Sequence, residues 1–198
     1  MPDTGAPWNI PYVESTDLVS DWPADSLALA NAIDAGLDNA GNAGIGSNVV
    51  QTVKTDTFTT TTSGWQTITD LEVTITPTTA TSKILIVADV TGGTNNAGGS
   101  TFLLRFAGGN SSAYVGDAAS NRTRAATGFR QGNTASGGYT ANYSMFYVDA
   151  PATTSPVTYS VEVFRDAGTV QVNRSDNDSD SDDFGRFASS ITAIEVAA

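Results

Sequence analysis

The chain contains no cysteine and no histidine. The first absence excludes disulfides and thiolate metal sites. The second removes the commonest general base and metal ligand near neutral pH, so no Ser-His-Asp or Cys-His nucleophile can be assembled. Charge is scarce as well: charged residues are 15% of the 198 positions, against about 25% in average domains. What charge exists is one-sided, with 21 acidic against 9 basic residues and a net charge of −12. Such a balance repels phosphate backbones and argues against nucleic acid as a partner. No run approaches the ~20 apolar residues of a membrane-spanning helix. The start, Met1-Pro2-Asp3-Thr4, lacks the charged and apolar regions of a secretory signal, so synthesis in the cytoplasm is expected.

Glutamate is scarce too. Glu14, Glu72, Glu162 and Glu195 are the whole set. Glycoside hydrolysis needs two carboxylates across a cleft, and this set offers no distinctive pair. Neither a GxSxG elbow nor a GxxxxGK[ST] loop is present. No catalytic residue is assigned, and the chain is expected not to be an enzyme.

Polarity comes instead from Thr, Ser, Asn and Gly, the usage of all-β surface proteins. Before the β pattern begins lies an arm, residues 1–20, with Pro2, Pro7 and Pro11. Each proline holds its predecessor extended. Trp8, Ile10, Pro11, Tyr12 and Val13 place large apolar groups on this arm. They are expected to anchor it in a groove of another protein; the plainer alternative is packing on the chain's own domain. The spacing then predicts a helix over 21–37. Asp21 can cap it, Pro23 lies near its first turn, and Asp25 suits the dipole. Leu29, Ile33 and Leu37 share a face with Ala30. About four turns are marginal in isolation, and a three-fold bundle would bury the stripe. Residues 39–44 read as a helix stop or linker.

From Val49 the period becomes two. Predicted strands cover 49–58, 70–76, 83–90, 101–106, 142–148, 157–164, 169–172 and 190–196, with one weak strand inside a long excursion over 111–141. The stretch 83–90 is apolar on both faces and predicts a central strand. Gly92-Gly93 and Asn95-Asn96 read as turns. The pattern predicts an antiparallel jelly-roll-type β-sandwich over 47–198, preceded by an anchor arm and short helix over 1–46.

Residues 176–183, with Asp176, Asp178 and Asp180, form the one dense oxygen-ligand run. It reads first as a solvated acidic loop; the alternative is a Ca²⁺ site. The EF-hand pattern fails, because Ser181 and Phe187 stand where Gly and Glu are needed. No other cofactor is expected. Trp65, Tyr114, Phe129, Tyr139 and Tyr143 read as core or subunit interface, or alternatively as a sugar-stacking platform.

The arm Trp8-Asn9-Ile10-Pro11-Tyr12-Val13-Glu14-Ser15-Thr16-Asp17, with the helix that follows it, resembles the anchor of tailed-bacteriophage fibre and decoration proteins. Val50-Gln51-Thr52-Val53-Lys54-Thr55-Asp56-Thr57-Phe58 and the closing Ser189-Ser190-Ile191-Thr192-Ala193-Ile194-Glu195-Val196 resemble the edges of small phage fibre-head domains, which are trimeric jelly rolls. The resemblance implies a homotrimeric virion structural protein, made in the host cytoplasm and displayed on the virion surface. Its partners would be its own copies, a major capsid or tail protein, and a host-surface glycan, with no membrane or nucleic acid. The short link between arm and head favours head decoration or a head fibre over a tail fibre or receptor-binding protein. A free carbohydrate-binding β-sandwich is the reading from another class.

Overall fold

The computed structural model describes residues 22–42, 45–95, 99–131 and 139–196. Trp8, Ile10, Pro11, Tyr12 and Val13, and the capping Asp21, lie outside the described residues. The chain divides into two compact units, 1–47 and 48–198.

Among the described residues of the first unit a helix, α1, runs over Trp22–Asn42. It continues about a turn beyond the predicted end, through Asn39-Ala40-Gly41-Asn42. Asn and Gly are poor helix formers by only ~1 kcal/mol or less each, a weak local preference. Leu27, Ile33 and Leu37 are exposed, and Leu29 is half-buried.

Ten strands are described: β1 (Ile45–Lys54), β2 (Phe58–Thr60), β3 (Gly64–Ile75), β4 (Lys83–Thr94), β5 (Ser100–Ala107), β6 (Thr127–Gln131), β7 (Tyr139–Asp149), β8 (Val157–Arg165), β9 (Val170–Val172) and β10 (Ser189–Val196). They form two antiparallel sheets, so the class is an all-β sandwich. The first has the order β1-β10-β4-β9-β2, with β7 also paired to β4; the second is β3-β8-β5-β6. As 83–90 predicts, β4 is central. One edge takes β10 (Val196 opposite Lys83) and then β9 (Val172 opposite Gly92), while β7 covers the other edge from Ile84 to Thr94.

Alternation decides what is inside. Ile84, Ile86, Ala88 and Val90 of β4 point into the sandwich, as do Phe102, Leu104 and Phe106 of β5 and Tyr159, Val161 and Val163 of β8. Ile191 and Ala193 join them from β10, and Leu71, Val73 and Ile75 from β3. Burying each such aliphatic or aromatic side chain stabilises by about 1.5–3 kcal/mol against the chain's entropy. Rings join the sheets. Phe102 of β5 lies 5.6 Å from Tyr143 of β7 and 5.9 Å from Phe129 of β6, and Phe129 stacks on Tyr143 at 5.7 Å.

Three departures from the sequence pattern have local causes. Gly92-Gly93 lies inside β4 and is not a turn. A Cβ on Gly92 would fall 2.7 Å from both the Gln171 carbonyl oxygen and the Phe102 ring. The glycine admits a ring to the strand; it does not turn the chain. The stretch 49–58 is split into β1 and β2. The strand over 70–76 starts earlier, at Gly64, and contains a bulge between Thr67 and Glu72 in which Asp70 has φ of 60°. Within 111–141 the described residues hold one 3-10 turn (Ser111–Ala113), strand β6 and the start of β7.

Candidate functional surfaces

Three polar clusters and two apolar surfaces stand out. The first cluster closes the break between β9 and β10. Asn173 leaves β9 with φ of 63°, a conformation Asn tolerates better than most residues. Its amide nitrogen donates to the carbonyls of Lys54 (2.8 Å) and Asp56 (3.0 Å), and its backbone N–H donates to Thr91 O (2.8 Å). Ser189, the first residue of β10, donates to Asn173 Oδ1 at 2.6 Å and accepts from Thr91 N at 3.1 Å. Residues 174–188 therefore leave and return through one hydrogen-bonded neck. Lys54 is buried beside it, its Nζ 2.8 Å from Asp56 Oδ2.

Beyond the neck lies the acidic run. Asp178 is engaged by two arginines, Arg186 and, at 3.2 Å, Arg174. The Arg186 hydrogen bond, with the charges of both guanidinium groups, holds its carboxyl below the usual carboxylate range. Asp178, Ser179, Asp180, Ser181, Phe184 and Arg186 line a hollow of about 320 Å³. Among the described residues no three acidic groups come together to hold a metal ion. The structure spends Asp178 on ion pairs and does not assemble Asp176, Asp178 and Asp180 as a ligand set.

The second cluster surrounds Glu195, which sequence alternation on β10 turns inward. Its carboxylate is buried and accepts from Thr78 N (2.7 Å), Thr78 Oγ1 (2.6 Å) and Asn48 Nδ2 (3.1 Å). Burial alone would raise its pKa. Hydrogen bonds from Ser82, Thr78 and Asn48 outweigh that and bring it down to about 2. Glu195 thus ties the entry of β1 and the β3–β4 connection to β10, and carries no free proton for acid catalysis.

The third cluster is at the opposite sheet. Arg105 of β5 donates to Glu162 of β8 at 2.6 Å and lies over the Trp65 ring at 4.1 Å. Phe164 flanks Trp65 at 5.5 Å. Trp65, with Phe164 and Arg105, lies on the face of the second sheet turned away from the core, whereas Phe129 and Tyr143 lie between the sheets. Phe129 and Tyr143 pack against the core, and Tyr114 stacks on Tyr147 at 5.5 Å beside a hollow of about 330 Å³. The predicted aromatics are not gathered into one stacking platform. Tyr139's ring lies outside what is described.

The two apolar surfaces are the exposed Leu27, Ile33 and Leu37 of α1 and the outer face of the first sheet. On that face Leu85 and Val87 of β4 point away from the core, with Phe146 and Val148 of β7 beside them. The sequence pattern reads 83–90 as apolar on both faces; within the second unit Val87, Phe146 and Val148 on the outer face are exposed among the described residues.

No family model matches the chain, and no curated protein matches it. Among solved structures, a chain of the infectious bursal disease virus Gx strain structure is similar at 14% identity and a TM-score of 0.32. The match covers 76% of this chain and 36% of that one.

Proposed function

We propose that the chain is a non-enzymatic virion structural protein, held by its N-terminal arm and displaying a β-sandwich on the capsid surface as a trimer joined along α1. The strand order is the observation that carries this reading. Taking β1 with β2 and β9 with β10 as single interrupted strands leaves eight strands, ordered 1-8-3-6 in one sheet and 2-7-4-5 in the other. Successive strands alternate between sheets except at β5–β6. That order supports a jelly-roll reading, an architecture used by viral capsid and lectin domains. Fold alone does not choose between those uses. Three features favour the structural role: the resemblance of the arm, the scattered aromatics, and a buried Glu195 tied up by hydrogen bonds. The stripe Leu29, Ile33 and Leu37 supplies the three-fold contact, since two of its members are exposed on the single chain.

The test is incorporation. Trp8→Ala with Tyr12→Ala is expected to reduce the protein on purified particles at least tenfold, while the melting temperature of the β-domain stays unchanged. Full occupancy by the double variant would overturn the anchor. Gold-labelled antibody on the same particles reads the place: label over the head supports decoration, and label confined to the tail transfers the role to a tail fibre.

A further inference from the structure

The outer face of the first sheet has a pattern that complements itself. Along β4 the outward residues are Lys83, Leu85, Val87 and Asp89: a cation, two aliphatic groups and an anion. Neighbouring strands widen the apolar middle. Leu85 stands between Val148 and Ile194, and Val87 between Phe146 and Thr192. β1 adds Val49 and Val53, which flank Gln51, whose amide donates to Thr192 Oγ1 at 2.9 Å. Val49, Val53, Val87, Phe146 and Val148 are 53, 55, 37, 66 and 48% exposed. Among the described outward positions of β1, β4, β7 and β10, only Lys83 and Asp89 are charged.

We infer that this face binds a second copy of the chain, sheet against sheet, with the two β4 strands running opposite ways about a two-fold axis over Ile86. A two-fold contact sets residue i over j and j over i. With Ile86 at the centre, Lys83 of each copy faces Asp89 of the other, and Leu85 faces Val87. Packed sheets lie ~10 Å apart, a gap that a lysine stem spans. Asp89 is held in place for this by hydrogen bonds from Asn142 and from Ser144 at 2.8 Å.

Two observations select a second copy as the occupant. A chain of net charge −12 repels its own copies across most surfaces. Here one charge of each sign sits where a two-fold brings them together. The area also fits. The exposed side chains amount to on the order of 400 Å² of apolar surface. A standard interface removes about 800 Å² per partner, a little over half of it apolar.

Charge exchange on the full chain tests the register. Lys83→Glu and Asp89→Lys each give a face that repels itself, and each is expected to weaken self-association about tenfold or more, lowering the sedimenting mass at micromolar concentration. Carrying both exchanges reverses the stripe and restores the mass. An equimolar mixture of the two single variants restores it as well, because each face complements the other. Phe146→Glu, at an exposed position, lowers the mass independently. Where α1 also holds a trimer, the single variants are expected to sediment as that trimer and the wild type as a multiple of it, so the readout is the loss and recovery of the larger species. The inference is overturned if wild type and single variants sediment alike, or if the double exchange and the mixture fail to recover.

Discussion

Replacing Phe102 by alanine is expected to destabilise the β-domain by about 4 kcal/mol, a large part of the 5–15 kcal/mol that typically holds a domain folded. Phe102 is fully buried and touches the rings of Phe129 and Tyr143, so it binds β5 to β6 within one sheet and to β7 in the other. Removing it forfeits the transfer of a whole ring and leaves a cavity. The wall at Gly92 has no side chain of its own to fill that cavity. The melting temperature should drop by roughly 10 °C. Phe146→Ala is the control, because that ring faces outward and its loss should move the melt of the dissociated chain by about 0.5 kcal/mol or less. A Phe102→Ala cost under ~1 kcal/mol would mean that the ring cluster does not join the sheets.

The second large effect is pH-dependent and comes from Glu195. Its pKa falls from an ordinary 4.5 to about 2 in the folded chain. A carboxyl depressed in this way stabilises the fold fully above the unfolded value, and that contribution disappears as pH falls from 4.5 through about 2. The shift is worth about 3 kcal/mol at neutral pH. Glu195→Gln should therefore lose about 3 kcal/mol at pH 7. The amide places a donor where Thr78 N and Thr78 Oγ1 already donate. Between pH 4.5 and 2 the difference between wild type and variant should close. Urea unfolding of both proteins across that range measures it. A constant difference would show that the cost is steric and not electrostatic.

The sandwich itself was legible because period two is a backbone property: Leu71, Val73 and Ile75, or Tyr159, Val161 and Val163, alternate wherever their strands sit. The faces of β7 and β8 follow from that alternation alone. Other features depend on neighbours far along the chain. Gly92-Gly93 carries turn chemistry, and only the Phe102 ring and Gln171 backbone across the ladder explain its place in a strand. Asn173 carries no local signal; its bonds to Lys54, Asp56 and Ser189 span separations no local pattern encodes. Glu195 reads as one acid among apolar residues, and its donors come from Thr78 and Asn48. The apolar run over 83–90 correctly marks a central strand. It cannot say whether the second apolar side is covered by the same chain or by another copy. The anchoring residues of the arm stand outside the described structure, and their role rests on resemblance.

The neck formed by Asn173 and Ser189 has a practical corollary. Because the chain leaves and re-enters the sheet at one hydrogen-bonded point, whatever lies between 174 and 188 is topologically a pendant. Lengthening such a pendant adds only ~0.6 kcal/mol of closure entropy per doubling, and neither β9 nor β10 has to shift to accommodate it. Diversity can accumulate there, by natural drift or by grafting a foreign peptide beside Ser181, while the strands that define the sandwich keep their register. The same module could thus present different surfaces to the outside while keeping one way of folding.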